Sequence, residues 1–400
     1  MSGVGAVRGV PRGGSVEDAF AGVAEAFEAN FASGAEVGAA VCVYHRGRPV
    51  VNLWGGTASE DADDLWRPGT VSMLASPTKA LVTVSALLLV ERGLLELDTP
   101  VAEYWPEFAA GGKEHITLRM VLSHRSGVVC LDHAPITNED MRAHTPIAEA
   151  LAAARPEWEP DTAHGYHAIT FGYLVSELVR RRTGLTVGRF FAREIAEPLG
   201  LDSHIGLPDP DAVHVATMFQ SKAEDVMSGG DPGDAVPMLV ELGKPESLTC
   251  RATISSMSLD PGFLDLTVED PSYGGLSSAR SLARLMALLI GEAEGPRLIG
   301  PDLTAELSRV HASGPCRITM MNTAWSLGFM RGDSPVFPVS AGLGTAFGFD
   351  GANGTFTFAD PADGLSFAYV QNAGSPGLGK LDDRARGLIE AVYRSVGALR

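Results

Sequence analysis

Apolar residues fall at helical spacing at Phe20, Val23, Phe27 and Phe31, which predicts an amphipathic first helix ending near Gly34, with Ser15 and Asp18 spaced as a capping box at its start. Two apolar-rich runs, residues 40–45 and 50–54, flank Arg46-Gly47-Arg48-Pro49 and read as a hairpin. The longest apolar stretch, residues 80–90, is interrupted by Thr83 and Ser85 and is too short to span a bilayer, so it predicts a buried core helix. Near the other end, residues 355–359 and 365–370 flank the turn Asp360-Pro361-Ala362-Asp363-Gly364. Leu388, Ile389, Val392, Tyr393 and Val396 then mark the apolar stripe of a last helix. Strands and helices at both ends around a helix-rich middle predict an α/β domain built from residues 1–105 plus 290–400. A mainly helical domain with long loops, residues 106–289, is expected to be inserted into it, and residues 231–237 are the best candidate for a long loop.

Composition narrows the classes of function. The chain has 400 residues, 45% of them hydrophobic, which is enough for a large core. A formal charge of -18, from 49 acidic against 31 basic residues, repels nucleic acid and anionic lipid. The first 35 residues hold no apolar run of signal-peptide length, and the expected location is the cytoplasm. Cys42, Cys130, Cys250 and Cys316 stand far apart without a CxxC pair, as buried structural thiols in a reducing compartment would.

Candidate chemistry concentrates at Ser76 and Lys79. In Leu74-Ala75-Ser76-Pro77-Thr78-Lys79 the serine is expected at the N-cap of the apolar helix and Pro77 at its first position. Lys79 then lies one turn on, on the same face as Ser76. An adjacent amine activates a serine if it is neutral, and burial together with the positive helix end would lower a lysine pKa from its usual value of about 10.4. The backbone N–H of Ser76 also points into the site, as half of an oxyanion hole.

A Ser-x-x-Lys at a helix start resembles the first motif of the serine β-lactamase and penicillin-binding protein superfamily. The resemblance extends to Gly93-Leu94-Leu95-Glu96-Leu97-Asp98-Thr99-Pro100, to Leu122-Ser123-His124-Arg125-Ser126-Gly127 and to Tyr273-Gly274-Gly275-Leu276-Ser277-Ser278-Ala279. It implies a β-lactamase-like fold of the α/β (α+β) kind, a central antiparallel sheet flanked by helices with an inserted helical domain. The proton-shuttling second motif is matched by Tyr166 in His164-Gly165-Tyr166-His167-Ala168. Ala168 stands where the lactamases carry a substrate-binding asparagine, so this stretch looks like the family VIII carboxylesterases, and His167 joins the expected substrate-binding residues. By position the third motif is Phe347-Gly348-Phe349-Asp350-Gly351-Ala352, in which Phe349 replaces the usual cationic or imidazole residue. Gly351 permits close backbone approach, and the Ala352 N–H would complete the oxyanion hole. A phenyl ring at 349 is expected to dry the site and to favour transfer of an acyl group over its loss to water.

Other signals are set aside. Gly374-Ser375-Pro376-Gly377-Leu378-Gly379-Lys380 nearly reproduces a phosphate-binding loop, but Leu381 offers no hydroxyl for magnesium. His164 and His167 lack further ligands at matching spacing, so no metal is expected, and no cofactor. His124 reads as a buried, hydrogen-bonded structural histidine. The expectation is a serine-dependent acyl-ester hydrolase, with Ser76, Lys79 and Tyr166 catalytic, acting on a small-molecule ester or acyl donor. The alternatives are a transacylase with an amine or alcohol acceptor, and a silent binding protein on the same fold.

Overall fold

The computed structural model describes residues 12–131, 136–219, 235–257, 265–332, 334, 344–375 and 381–400. Nine strands form one antiparallel sheet in the order β1-β3-β2-β12-β11-β10-β9-β8-β7. They are β1 (Arg12–Val16), β2 (Gly38–His45), β3 (Arg48–Gly56), β7 (Ala312–Pro315), β8 (Asn322–Trp325), β9 (Met330–Arg331), β10 (Phe347–Asp350), β11 (Phe356–Asp360) and β12 (Leu365–Gln371). The two ends of the chain meet at the sheet centre, where β2 pairs with β12 and Val41 lies opposite Tyr369. Every residue of β2 and β12 is buried, so both faces there are covered. A second sheet of three short strands has the order β4 (Ser72–Met73), β6 (Gly275–Ser277), β5 (Ser203–Ile205).

Five helices matter for the argument: α1 (Ala21–Ala32), α2 (Thr78–Glu91), α3 (Thr170–Thr183), α4 (Ala279–Leu289) and α5 (Asp383–Ala398). Helices α1 and α5 pack on each other, while α4 lies along β12, β2 and β11 and accepts at its Ala283 carbonyl the Ser366 hydroxyl of β12, at 2.7 Å. Phe20, Val23, Phe27 and Phe31 are buried, as their spacing predicts, and so are Leu388, Ile389, Val392 and Val396 on α5. Helix α2 is buried from Thr78 through Leu89 and packs against α3.

Local signals lose to pairing at two places. Ser15 does not cap α1; it lies in β1 opposite Asn52 of β3, and the helix is entered through a tight turn at Asp18–Phe20. The hairpin turn is also shorter than its four-residue signature. Arg46 and Gly47 alone form it, with φ of 49° and 88°, while Arg48 and Pro49 join β3. Two left-handed residues in succession give the twist that a two-residue hairpin needs.

All four cysteines are buried thiols, and none is in a disulfide. No helix among the described residues is long and apolar enough to cross a membrane. Residues 231–234 of the expected long loop lie outside the described residues, and Val236 and Pro237 open the helix Val236–Leu242.

Candidate active site

Three chain segments interlock around Ser76. The first descends from β4, with Leu74 still bonded through its N–H to the Gly275 carbonyl at 2.8 Å. Ala75 then turns the chain sharply at φ 55°, a left-handed conformation that costs a non-glycine residue about 1–3 kcal/mol. The Lys79 N–H bonds the Ser76 carbonyl at 2.9 Å, so the helix begins in a tight turn. Pro77 occupies the N-cap position and no side chain caps the helix, which corrects the expectation for Ser76. Thr78 does the local work instead: its hydroxyl donates to the Ala75 carbonyl at 2.7 Å and accepts the Gly275 N–H at 2.8 Å. The partly exposed Ser76 hydroxyl is thereby left out of the helix bonding, and it accepts a hydrogen bond from the Tyr166 hydroxyl at 2.7 Å.

The second segment holds that tyrosine. The Tyr166 ring stacks on Trp325 with centroids 5.4 Å apart and meets the edge of His124 at 5.4 Å. Its backbone N–H donates to the Cys316 sulfur at 3.2 Å. Burial pushes the phenol well above its usual range, so the hydroxyl keeps its proton and donates. His167, next in sequence, is fully buried. Its Nδ1 lies 2.7 Å from the Gly165 carbonyl and its Nε2 2.6 Å from the Ser126 hydroxyl. A carbonyl only accepts, so Nδ1 carries the proton and Nε2 accepts from Ser126. With both nitrogens committed and its pKa driven by burial down to about 4, His167 offers no edge to a substrate, against the expectation. His124 is likewise buried, and its Nδ1 accepts the His167 N–H at 3.2 Å.

The third segment, residues 270–275, anchors Lys79. The Lys79 amine is enclosed, donates to the Ser272 carbonyl at 2.9 Å and lies 5.0 Å from the centroid of the Tyr166 ring. Burial lowers its pKa to about 7, while the charges of Asp270 and Asp350 pull the other way. Ser272 is held in turn: its hydroxyl donates to the Ile169 carbonyl and accepts the Gly172 N–H. A Cβ at Gly172 would lie 2.3 Å from the Pro271 carbonyl, so only glycine lets α3 approach this closely.

The end of β10 closes the site from the opposite side. A Cβ at Gly351 would lie 2.6 Å from the Leu74 carbonyl, two residues before Ser76. Asn353 fastens this turn by donating to the Met73 carbonyl at 2.8 Å, and the Asn353 carbonyl accepts from the Gln371 side chain. Among the described residues neither the Ser76 N–H nor the Ala352 N–H donates to a protein acceptor. Asn353 and Gln371 were missed from sequence; the Asn353-Gly354 turn is the one signal that could have pointed to the first.

Phe349 is placed differently from its expected role. Its ring is fully buried against Trp325 and Phe329, at centroid distances of 5.9 and 6.3 Å, and among the described residues it reaches the site through the tryptophan on which Tyr166 stacks. Phe349→Ala should therefore cost about 3–5 kcal/mol of stability in denaturant unfolding. A loss below about 1 kcal/mol would show that the ring is not part of the core. Of the remaining signals, residues 376–380 of the phosphate-loop look-alike lie outside the described residues, and His164 bonds the Thr323 hydroxyl at 2.9 Å.

A family model described as Beta-lactamase matches residues 23–391. The esterase/β-lactamase LipL of Mycobacterium tuberculosis (strain ATCC 25618 / H37Rv) is 33% identical over 366 residues, covering 90% of this chain and 82% of LipL. A penicillin-binding protein homologue from Caulobacter crescentus superposes with a TM-score of 0.84 at 34% identity, over 96% of this chain and 100% of that one. A family VIII carboxylesterase superposes with a TM-score of 0.81 at 31% identity, over the same shares of the two chains.

Proposed function

The chain belongs to the β-lactamase family of serine hydrolases and acyltransferases, and within it we propose a carboxylesterase-type hydrolase that works through an acyl-enzyme on Ser76. The observation that carries this reading is the 2.7 Å bond between the Tyr166 and Ser76 hydroxyls beside a lysine that burial drives toward neutrality. In the proposed reaction Ser76 Oγ attacks the ester carbonyl and its proton passes to the Lys79–Tyr166 pair, neutral Lys79 being the sink. The oxygen anion that forms is received by the N–H groups of Ser76 and Ala352. The pair then protonates the departing alcohol, and water repeats the sequence to free the acid. Four buried thiols fit a reducing compartment, and the cytoplasm is the proposed place of action.

Intact mass after mixing with p-nitrophenyl esters of graded chain length tests the reading. A mass increment equal to the acyl group, located on Ser76, is expected; no increment with any ester overturns it. An amine or alcohol added to the same reaction tests transfer, which is supported if a new amide or ester forms faster than the acid.

Penicillins and cephalosporins should be poor substrates. At the position where the family resemblance implies a cation or imidazole the chain has Phe349, whose ring is buried in the core and offers no donor, and Ala168 has no amide to hold the substrate's own. A buried carboxylate without a donor costs several kcal/mol, so kcat/KM on penicillin G should fall at least about 100-fold below that on the best neutral ester. Comparable turnover of the two would return the protein to the lactamase branch.

A further inference from the structure

Two carboxylates act on Lys79 without a part in the reaction just described, and of these Asp270 is buried while Asp350 is partly exposed. Asp350 ends β10 directly before Gly351 and Ala352, and it is the one residue of that strand that solvent reaches. Its carboxylate is near enough to Lys79 and Tyr166 for its charge to act on both. Its own backbone N–H and the Lys79 charge are the favourable influences on it among the described residues. We propose that Asp350 faces the bound substrate and selects esters that carry an ammonium group beside the scissile carbonyl while rejecting those that carry a carboxylate, a role that rests on Ser76 being the acylated residue.

The argument is electrostatic. An ionised carboxylate two residues from Ala352 opposes the negative charge that must build up at the oxyanion position. Lys79 cannot serve as its standing counter-ion, because the proton transfer needs that amine neutral. On a neutral ester the penalty is therefore unrelieved. A cation brought by the substrate removes it and turns the same charge into attraction, so the gain appears in the transition state as well as in binding. Burial raises the Asp350 carboxyl to about 6 against the pull of the Lys79 charge, so once Lys79 is neutral a substrate ammonium takes the place of that charge and keeps the carboxylate ionised. The formal charge of -18 on the whole chain draws cationic molecules toward the site in the same sense.

Three p-nitrophenyl esters of similar size test this: leucine, 4-methylpentanoate and monoadipate esters, which are cationic, neutral and anionic. The ammonium group raises the intrinsic reactivity of the first, so the readout is the change in its kcat/KM ratio to the neutral ester between the unmodified protein and Asp350→Asn. That ratio should fall about tenfold or more in the variant, while the ratio of the anionic to the neutral ester should rise. As a measurement that needs no variant, pentylammonium should inhibit turnover by the unmodified protein at lower concentration than pentanoate. Unchanged ratios with Ser76 still acylated, or stronger inhibition by pentanoate, overturn the role of Asp350 alone. Failure of all three esters to acylate Ser76 overturns the reading of the site beneath it.

Discussion

Ser76→Ala should abolish acyl-enzyme formation and lower ester turnover by at least about 1,000-fold, because the neighbouring groups can stabilise charge but cannot supply a nucleophile. The fold should survive. The hydroxyl does not cap α2, its one hydrogen-bond partner among the described residues is the Tyr166 hydroxyl, and it stands at a partly exposed position where water can replace it. The measurement is intact mass with an activated ester, alongside thermal unfolding. A variant that melts like the unmodified protein and carries no acyl group supports the assignment. One that labels at the same rate removes Ser76 from the mechanism, and the search for the nucleophile would move to another residue.

How far the site could be read from sequence depended on what kind of order each residue obeys. Ser76 and Lys79 are set by local geometry, three residues apart at a helix start, and that relation survives in the structure although the helix begins one residue later than expected. Tyr166 is brought in from 90 positions away, and its bond to Ser76 was open to expectation only through the family resemblance. Asp350 could not be distinguished from its neighbour Phe349 by any pattern. The strand buries three residues and leaves the fourth, paired with Phe356 of β11 at the strand end, partly exposed. His167 shows the opposite failure. A polar residue beside the tyrosine suggested substrate contact, whereas its two nitrogens are used to tie down residues 126 and 165. The sheet was legible where alternation and turns were strong, in β2, β3, β11 and β12. The short strands β4, β5 and β6 exist only because distant segments meet, and no run of two or three residues signals that in advance.

Lys79 and Tyr166 should behave as one proton-handling unit, and pH provides the sharper test. With neutral Lys79 as the proposed base and its pKa in the fold lowered to about 7, kcat/KM should rise with pH through that region and level off above it. Asp350, raised to about 6, interacts with Lys79, so the rising limb belongs to the pair rather than to the lysine alone. Tyr166, pushed up by burial, stays protonated over this range and adds no falling limb. Lys79→Met removes the proton sink and should cost about 100- to 10,000-fold with loss of the limb; Tyr166→Phe keeps the stacking on Trp325 and should lower the plateau by a similar factor while the limb stays. Removing the lysine also strands the buried Ser272 carbonyl, at about 1–3 kcal/mol, so the folded fraction must be measured beside the rate. Because either loss breaks the same relay, the double variant should be no more than about tenfold slower than the worse single one. Losses that multiply would show that the two side chains act separately. A Tyr166→Phe protein whose limb has vanished would show that the tyrosine, and not the lysine, carries the titration.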